Sequence, residues 1–267
     1  MRENRVKRTL ARGEVSIGTA FFEFCTPGAP RVAAAAGAEF AFFDTEHTGW
    51  SNDVVRVLVA AAHGAGIVPL VRPPATQYHL LAQPLDLGAM GLIVPMVESR
   101  EQAELIVRST KYPPAGRRGA AFVIAHDDYQ PGDVGGKMES ANREILLISQ
   151  IETAAGLEHA DEIAAVAGID VLWVGQFDLT ASLGIPGQFD NPQYLSALDR
   201  VVEACRSHGK AAGFMVTSIP EAQQVLAKGF TALAYNGDLW LYQQALAAGV
   251  EQVRTLANAL PAGGGRA

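Results

Sequence analysis

Apolar and polar positions in this chain alternate between two periods. Short runs rich in Val, Ile, Phe and Ala occur eight times, and each precedes a segment whose apolar residues recur every three or four positions. The short runs predict buried β-strands, and the segments after them predict amphipathic helices. The predicted strands are 15–23, 40–46, 67–73, 91–97, 145–152, 171–178, 211–216 and 230–236. The predicted helices are 31–36, 52–65, 78–87, 100–110, 157–167, 192–208, 220–227 and 239–260.

Eight successive strand–helix units predict one α/β domain over residues 1–267, folded as a closed (β/α)8 TIM barrel. An open doubly wound sheet is the alternative. Such a sheet normally carries a glycine fingerprint after its first strand, and Thr26-Pro27-Gly28 is not one. Residues 111–143 are rich in Gly and Pro and predict a long functional loop, while the Gly-rich tail 261–267 predicts disorder.

Two carboxylates, Glu152 and Asp178, end consecutive predicted strands. In a parallel barrel both leave the same end of the sheet, where they repel each other unless a cation lies between them. A simpler alternative is that each is a helix N-terminal carboxylate stabilised by the helix macrodipole. Because the two occupy equivalent places, we favour a divalent-metal site, and oxygen ligands fit Mg²⁺ or Mn²⁺ better than Zn²⁺.

Further polar residues end the other predicted strands, among them Asp44, His47, Arg72 and Gln150. A carboxylate three residues before a histidine can orient its imidazole, as an acid–base pair requires. We therefore predict a catalytic role for His47 with Asp44 as its support, against the alternative of a structural histidine. Arg72 can merely close a salt bridge, but at a barrel mouth it suits an anionic substrate or a developing enolate.

The lysines help to choose between two chemistries. A Schiff-base mechanism requires a lysine in the barrel mouth. None of the five lysines ends a predicted strand; they are Lys7, Lys111, Lys137, Lys210 and Lys228. The sequence therefore predicts that a metal ion stabilises any carbanion formed here.

Charge and composition exclude several classes of protein. The net charge is -7 and no run of Lys or Arg occurs, which argues against a nucleic-acid partner. The N-terminus lacks the apolar segment of a secretory signal, and the longest apolar runs have only strand length, so we expect no membrane association. The two cysteines, Cys25 and Cys205, are too few for a disulfide framework. These features predict a cytoplasmic protein.

Six segments in order carry a resemblance to a known family. They are 44–47 (DTEH), 71–73 (VRP), 92–97 (LIVPMV), 112–119 (YPPAGRRG), 150–153 (QIET) and 175–184 (GQFDLTASLG). On these segments, between about residue 13 and residue 258, the chain resembles the class II, metal-dependent pyruvate aldolases of the HpcH/HpaI family. The resemblance implies a barrel of the phosphoenolpyruvate/pyruvate type. It also implies reversible cleavage of a 4-hydroxy-2-oxo acid to pyruvate and an aldehyde.

The resemblance assigns roles to the strand-end residues. Glu152 and Asp178 would hold the metal, with Mg²⁺ or Mn²⁺ preferred and Co²⁺, Ni²⁺ or Zn²⁺ as alternatives. Gln150 would position ligand or water, and main-chain amides around Phe177 and Asp178 would bind the substrate carboxylate.

Two further roles concern the reacting atoms. Arg72 would stabilise the enolate oxygen, and His47, supported by Asp44, would move the proton of the 4-hydroxyl. Metal and arginine together lower the cost of enolate charge, which is stabilisation of the transition state.

Assembly and specificity follow from the same resemblance. Family members are homo-oligomers, hexamers or trimers of dimers, that exchange their last helix, so segment 239–260 would pack on a neighbour and Asp86 would reach an adjacent subunit's site. Segment 120–128 (AAFVIAHDD) departs from a family segment that often bears Arg and Ser, and Gln176-Phe177 replaces a smaller pair. The first departure concerns the aldehyde side of the pocket and leaves the acceptor open, and the second indicates a bulkier pocket. The apolar residues Phe122, Val123 and Val216 indicate a less charged acceptor.

Two other functions are compatible with the sequence. One is another metal-enolate lyase or Claisen-type enzyme that uses an acyl-CoA on the same barrel, for which Arg117-Arg118 would be the basic entry patch. The other is a non-catalytic oligomeric binding protein that retains the barrel, for which only the altered segment after Gly119 argues.

Overall fold

Eight parallel strands form a closed barrel in sequence order, with β1 paired to both β2 and β8. The computed structural model describes residues 2–260, so the predicted disordered tail 261–267 lies outside the described residues. The strands are β1 Ser16–Phe21, β2 Phe40–Asp44, β3 Val68–Arg72, β4 Gly91–Val94, β5 Leu146–Ile151, β6 Val171–Val174, β7 Ala211–Val216 and β8 Ala232–Gly237. The predicted (β/α)8 barrel is confirmed.

Helices surround the barrel. They are α1 Arg5–Ala11, α2 Ala29–Ala35, α3 Asn52–Ala65, α4 Tyr78–Asp86, α5 Arg100–Thr110, α6 Val134–Glu144, α7 Ala154–Glu158, α8 Ala160–Ala164, α9 Gln176–Ser182, α10 Pro192–Ser207, α11 Ile219–Lys228 and α12 Asp238–Ala259. Each of the eight predicted helical segments contains helix, whereas α1, α6 and α9 were not predicted. Among residues 2–260, none of the helices combines the length and apolar character that a membrane crossing requires.

Three predicted elements are wrong in part. The predicted loop 111–143 ends in helix α6, which the paired glycines Gly135-Gly136 conceal but which the Asp133 carboxylate caps by accepting the Gly136 N–H at 2.6 Å. The predicted helix 157–167 is two short helices, α7 and α8. Asp178 was predicted to end a strand; strand β6 stops at Val174, and Asp178 lies in the first turn of α9.

The core has two layers because side chains alternate along each strand. Phe40, Phe42, Leu70, Ile148 and Trp173 fill the barrel interior. The residues between them pack outward against the helices. The interior cluster also includes Val6 and Leu10, so helix α1 closes the N-terminal end of the barrel. The opposite end, where the strands finish, is the open mouth.

Candidate active site

Alternation along the strands determines which polar side chains reach the mouth. Phe42 points into the barrel from β2, so Asp44, two residues later, points the same way; Leu70 places Arg72 in the same manner on β3. On β5, Ile148 faces inward, and the same period places Gln150 and Glu152 above it. The structure therefore brings together the strand-end residues that the sequence predicted.

Glu152 is the most constrained carboxylate of the mouth. It is only 3% exposed, its Oε1 accepts the Met96 N–H at 2.6 Å, and its Oε2 accepts the Gln150 side-chain amide. Burial, together with the smaller effects of the nearby charges of Glu46 and Asp178, raises its pKa to about 7 despite these two donors. The ionised form of Glu152 therefore has no neighbouring cation to stabilise it in the part of the chain that the structure describes. A divalent cation bound at this carboxylate would supply that positive charge.

Gly175 makes the close packing around Glu152 possible. It precedes α9, and a Cβ atom at this position would lie 2.4 Å from Glu152 Oε2 and 2.8 Å from Gln150 Nε2. Asp178 follows three residues later on the exposed side of the same turn. A glycine is thus required for Glu152 and the α9 turn to lie side by side.

The donors present fit a hard divalent cation with few protein ligands. Among residues 2–260, no group of three or more His, Cys, Asp or Glu side chains is arranged to hold a metal ion. Glu152 and Asp178 would supply two carboxylates, leaving other positions to water and substrate oxygens, as Mg²⁺ and related ions accept. Glu46 Oε2 is buried without a hydrogen-bond partner among the described residues, so it is free to accept a hydrogen bond from a ligand of the mouth.

Arg72 is held by one edge of its guanidinium. Its Nε donates to Asp44 Oδ1 at 2.6 Å and lies 3.3 Å from Glu46 Oε2. The guanidinium carbon stands 5.7 Å and 5.9 Å from the ring centroids of Phe22 and Phe42. Neither Nη nitrogen has a hydrogen-bond partner within residues 2–260. The free edge can therefore donate two parallel hydrogen bonds to an oxyanion.

The predicted pairing of Asp44 with the His47 imidazole is wrong. Asp44 is fully buried; its carboxylate accepts the main-chain N–H of His47 at 3.0 Å and of Glu46 at 3.2 Å, besides the Arg72 Nε. The imidazole is 60% exposed, and its Nε2 lies 3.7 Å from Glu46 Oε2. The loop after β2 turns its main chain toward Asp44, so Asp44 fixes Arg72 and the loop, while Glu46 lies nearest the ring.

Glu46 is thus a site residue that sequence reasoning missed. Burial raises its pKa; Arg72 lowers it, and the charges of Asp44 and Asp178 raise it again. The signal available in the sequence was its place between Asp44 and His47 in a strand-end motif. Met96 was also missed, because it contributes a main-chain N–H, which residue type does not reveal.

The first turn of α9 carries Gln176 and Phe177, the two residues that the sequence resemblance singled out as bulkier than usual. Gln176 is buried and donates from Nε2 to the Met215 carbonyl at 3.1 Å, joining the ends of β6 and β7. Phe177 is 63% exposed and meets Phe189 edge-on at 5.3 Å between ring centroids. The helical bonds of α9 begin with Leu179 N to Gly175 O, so the N–H groups of Phe177 and Asp178 precede them.

Asp86 and the altered segment lie outside this mouth in the single chain. Asp86 ends α4, near the N-terminal edge of the barrel, and its carboxylate pairs with buried Arg118 at 2.5 Å. In segment 120–128, the Asp127 carboxylate accepts the Val123 and Ile124 N–H groups, and His126 bonds the Ala121 carbonyl at 2.7 Å. The chain's own mouth is therefore built without them.

Comparison with known proteins agrees with this geometry. The model of the HpcH/HpaI aldolase/citrate lyase family matches residues 21–245. The chain is 37% identical over 244 residues to 2-keto-3-deoxy-L-rhamnonate aldolase of Klebsiella pneumoniae subsp. pneumoniae, a match that covers 91% of this chain and 90% of that protein. The aldolase of the same name from Escherichia coli K12 is 36% identical, with the same coverage.

Solved structures give the same result. The crystal structure of an HpcH/HpaI aldolase from Desulfitobacterium hafniense DCB-2 has a TM-score of 0.90 and 31% identity, covering 96% of this chain and 97% of that one. The structure of citrate synthase SbnG has a TM-score of 0.85 and 30% identity, with 95% and 98% coverage. The similarity thus extends over the whole barrel.

Proposed function

This chain belongs to the HpcH/HpaI aldolase/citrate lyase family, and we propose that it cleaves a 4-hydroxy-2-oxo acid reversibly to pyruvate and an aldehyde. In the proposed substrate, the part that becomes the aldehyde carries no charge. The predicted family is confirmed, and the chain is a carbon–carbon lyase of the metal-dependent aldolase type. One observation carries the proposal: the guanidinium edge of Arg72 that has no partner lies in the same mouth as two carboxylates, Glu152 and Asp178, that have no cationic partner within residues 2–260.

The residues of the mouth divide the reaction among themselves. Glu152 and Asp178 would hold the divalent cation, which when bound supplies Lewis-acid stabilisation of negative charge on substrate oxygens. We propose Mg²⁺ or Mn²⁺ as this cation. The N–H groups of Phe177 and Asp178 would bind the substrate carboxylate, and Gln150 would keep Glu152 in place.

Bond cleavage then needs an oxyanion donor and a base. As the bond between C3 and C4 breaks, its electron pair passes into the pyruvate enolate, and the Arg72 Nη groups donate to the enolate oxygen. His47 accepts the proton of the 4-hydroxyl, which becomes the aldehyde carbonyl, and protonation of C3 completes pyruvate. Asp44 holds Arg72 rather than the imidazole, so we assign it a supporting role through Arg72.

The acceptor aldehyde follows from the relatives and from the rim of the mouth. The curated relatives act on 2-keto-3-deoxy-L-rhamnonate, whose cleavage between C3 and C4 yields pyruvate and an uncharged three-carbon hydroxyaldehyde. Phe177 and Phe189 offer this mouth aromatic edges and no charge. We therefore propose an uncharged aldehyde of this class.

Steady-state kinetics with pyruvate and an aldehyde panel test the proposal. Wild-type protein loaded with Mn²⁺ should form the aldol product, and EDTA or Glu152→Gln should each lower kcat/KM by about 10³-fold or more. Glu158→Gln is the matched control, because Glu158 is an exposed carboxylate on the following helix. Turnover that survives both EDTA and Glu152→Gln contradicts the proposed mechanism.

The acyl-CoA alternative has one observation in its favour, the similarity to citrate synthase SbnG. A second observation weakens it. Of the predicted basic entry patch, Arg118 is buried against Asp86, and only Arg117 is exposed. Acetyl-CoA with oxaloacetate therefore belongs in the substrate panel, and turnover of that pair without aldol activity would favour the alternative over the aldolase.

We also propose that the subunits assemble through α12. From residue 242 to residue 260 this helix is exposed throughout, and Tyr242, Leu246, Val250 and Val253 form one apolar stripe. A groove of about 1170 Å³, lined largely by apolar side chains of β1, α2 and the start of α12, lies open beside it. The stripe of a second copy would fill this groove.

Sedimentation of two α12 variants tests this assembly. Leu246→Asp places a charge in the stripe and should lower the oligomer mass at micromolar concentration. Gln244→Asp, on the opposite face of the same helix, should not. Equal masses for both variants and the wild type would contradict the packing of α12 on a neighbour.

Asp86 remains a candidate for action in a neighbour's site. If each site combines His47 of one subunit with Asp86 of another, mixtures of His47→Asn and Asp86→Asn chains should recover activity that neither variant has alone. Mixtures with no more activity than the sum of the separate variants would remove Asp86 from the site.

A further inference from the structure

Met96 has an unusual backbone conformation beside the proposed metal site. Its φ is 54°, in the left-handed region that residues with a Cβ rarely adopt, and it lies two residues after the end of strand β4. A residue held there at a functional site indicates that the surrounding structure needs the conformation. The question is what the conformation achieves.

The hydrogen bonds of the residues before and after this turn show what its conformation does. Val94 pairs with Ser149 in the ladder between β4 and β5, and the Val97 N–H continues the ladder by donating to the Gln150 carbonyl at 3.2 Å. Pro95 between them has no N–H to donate. Residues 95 and 96 thus lie outside the ladder, and the left-handed turn directs the Met96 N–H at Glu152 Oε1, 2.6 Å away.

The Glu152 carboxylate is therefore held from both sides. Met96 donates to Oε1 and Gln150 donates to Oε2, and each oxygen retains a lone pair for another partner. Gln150 also anchors the turn itself, because its carbonyl accepts the Val97 N–H. The orientation of this carboxylate is thus set by two parts of the chain. One is Gln150 at the end of β5, through its side chain and its main chain, and the other is the left-handed turn that follows β4.

We propose that Met96 is a positioning residue whose left-handed main chain orients Glu152 for the divalent cation, an inference that rests on the proposed function. The competing explanation is that its side chain, 47% exposed, contacts the substrate. The two explanations predict different effects of substitutions at residue 96 on Mn²⁺ affinity. Glycine adopts the left-handed conformation freely and keeps the N–H but loses the side chain, whereas valine keeps an apolar side chain and resists the conformation.

Calorimetric titration of the metal-free protein with Mn²⁺ separates them without relying on turnover. Met96→Gly should bind Mn²⁺ within about threefold of wild type, and Met96→Val should bind at least about tenfold more weakly. Unchanged Mn²⁺ affinity in Met96→Val would overturn the proposal, because a side chain that only contacts substrate has no part in binding the cation. Thermal unfolding of each metal-free variant shows that the difference is not loss of the fold.

A main-chain substitution covers the case in which Met96→Val does not fold. Replacing the residue 96 amide by an ester removes only the N–H, and should weaken Mn²⁺ binding about tenfold. The matched ester at Val97 removes a ladder bond in the same segment and should leave Mn²⁺ affinity within about twofold. Equal effects of the two esters on affinity would overturn the positioning role.

Two controls separate this proposal from the proposed function. Mn²⁺ binding that is unchanged by Glu152→Gln would refute the metal site itself. Binding that needs Glu152 but ignores every change at residue 96 would refute only the role of Met96. Val123→Gly relieves another left-handed residue, with φ 62°, away from the mouth, and should raise thermal stability without altering Mn²⁺ affinity.

Discussion

The two ends of the barrel handle charge in opposite ways. At the N-terminal end, Lys7 Nζ lies 2.9 Å from Asp170 Oδ2 and 2.8 Å from the Ile145 carbonyl, and Lys111 Nζ donates to the Asn142 and Ile145 carbonyls at 2.7 and 2.9 Å. At the mouth, the pKa values of Glu46 and Glu152 are raised, chiefly by burial and also by the charge of Asp178. The charged groups of the N-terminal end find partners within the chain, whereas the carboxylates Glu152 and Asp178 of the mouth have no cationic partner within residues 2–260.

The difference shows which end is built for stability and which for a ligand. Polar groups whose hydrogen-bond partners lie within the chain need no ligand to satisfy them. Carboxylates gathered in an open mouth destabilise each other until something positive binds, which is the pattern of a functional site. Lys7 and Lys111 both donate hydrogen bonds at the far end of the barrel, so neither is in reach of the mouth for a Schiff base.

The largest expected effect comes from crowding the mouth. Gly175→Ala would place a Cβ 2.4 Å from Glu152 Oε2, so the carboxylate must move. We expect Mn²⁺ affinity to collapse and kcat/KM to fall by about 10³-fold. Gly64→Ala is the control: the same substitution in α3 meets open space and should only favour the helix, by about 1 kcal/mol. A Gly175→Ala enzyme with normal Mn²⁺ affinity would show that the mouth tolerates displacement of Glu152.

The next effect concerns the one cation that the mouth does contain. Arg72→Lys keeps the charge but cannot bond Asp44 with one edge and the substrate with the other. We expect kcat/KM to fall by about 10²-fold while Mn²⁺ affinity changes little. Kinetics and calorimetry on the same preparation test this. Near wild-type kcat/KM would mean that positive charge alone is sufficient, and that the two-sided contact is not required.

A smaller effect is expected at the rim, where the mouth is apolar. Phe177→Ala removes an exposed ring that meets Phe189 edge-on. We expect the KM for apolar aldehydes to rise by about threefold to tenfold with little change in kcat, because a partly exposed apolar contact contributes modestly. Leu226→Ala, an exposed apolar residue on α11, is the matched control. An unchanged KM across the aldehyde panel would place the acceptor elsewhere.

The contrast between the two ends also explains what could be predicted from sequence. Arg72, Gln150 and Glu152 were placed correctly because strand alternation and barrel closure are sufficient to bring strand-end side chains together. Neither argument depends on loop conformation. The same regularity gave α3 and α5 their observed bounds.

What failed depended on local main-chain geometry. Asp44 is three residues from His47, but spacing does not say that the loop presents its N–H groups to the carboxylate rather than the imidazole. Met96 acts through a φ value and an N–H group that no side-chain pattern encodes. Helix α6 was missed because two adjacent glycines argue against a helix that packing against the barrel nonetheless stabilises.

The smallest effect on catalysis is expected at the closed end. Lys111 is 3% exposed, and burial lowers its pKa from the usual 10.5 to about 7. Lys111→Met should leave kcat/KM within about twofold, because the residue lies at the far end of the barrel. It leaves the Asn142 carbonyl without its lysine donor, so we expect a lower free energy of unfolding, by about 1–3 kcal/mol at alkaline pH.

The sign of the pH dependence makes this last prediction specific. Between about pH 7 and 10.5 the unfolded chain holds a proton on Lys111 that the folded chain has lost, so wild-type stability from this group rises with pH. Below pH 7 both states are protonated and the full cost of burying the charge remains, which the methionine variant avoids. The loss of unfolding free energy in Lys111→Met should therefore widen from pH 7 to pH 9 in reversible denaturant titrations.

The control is Lys228→Met, which breaks the surface pair with Asp199 and should cost less than about 1 kcal/mol. A deficit that stays constant across this range, or that shrinks, would mean that Lys111 is buried in its charged form and that the closed end carries unbalanced charge as the mouth does.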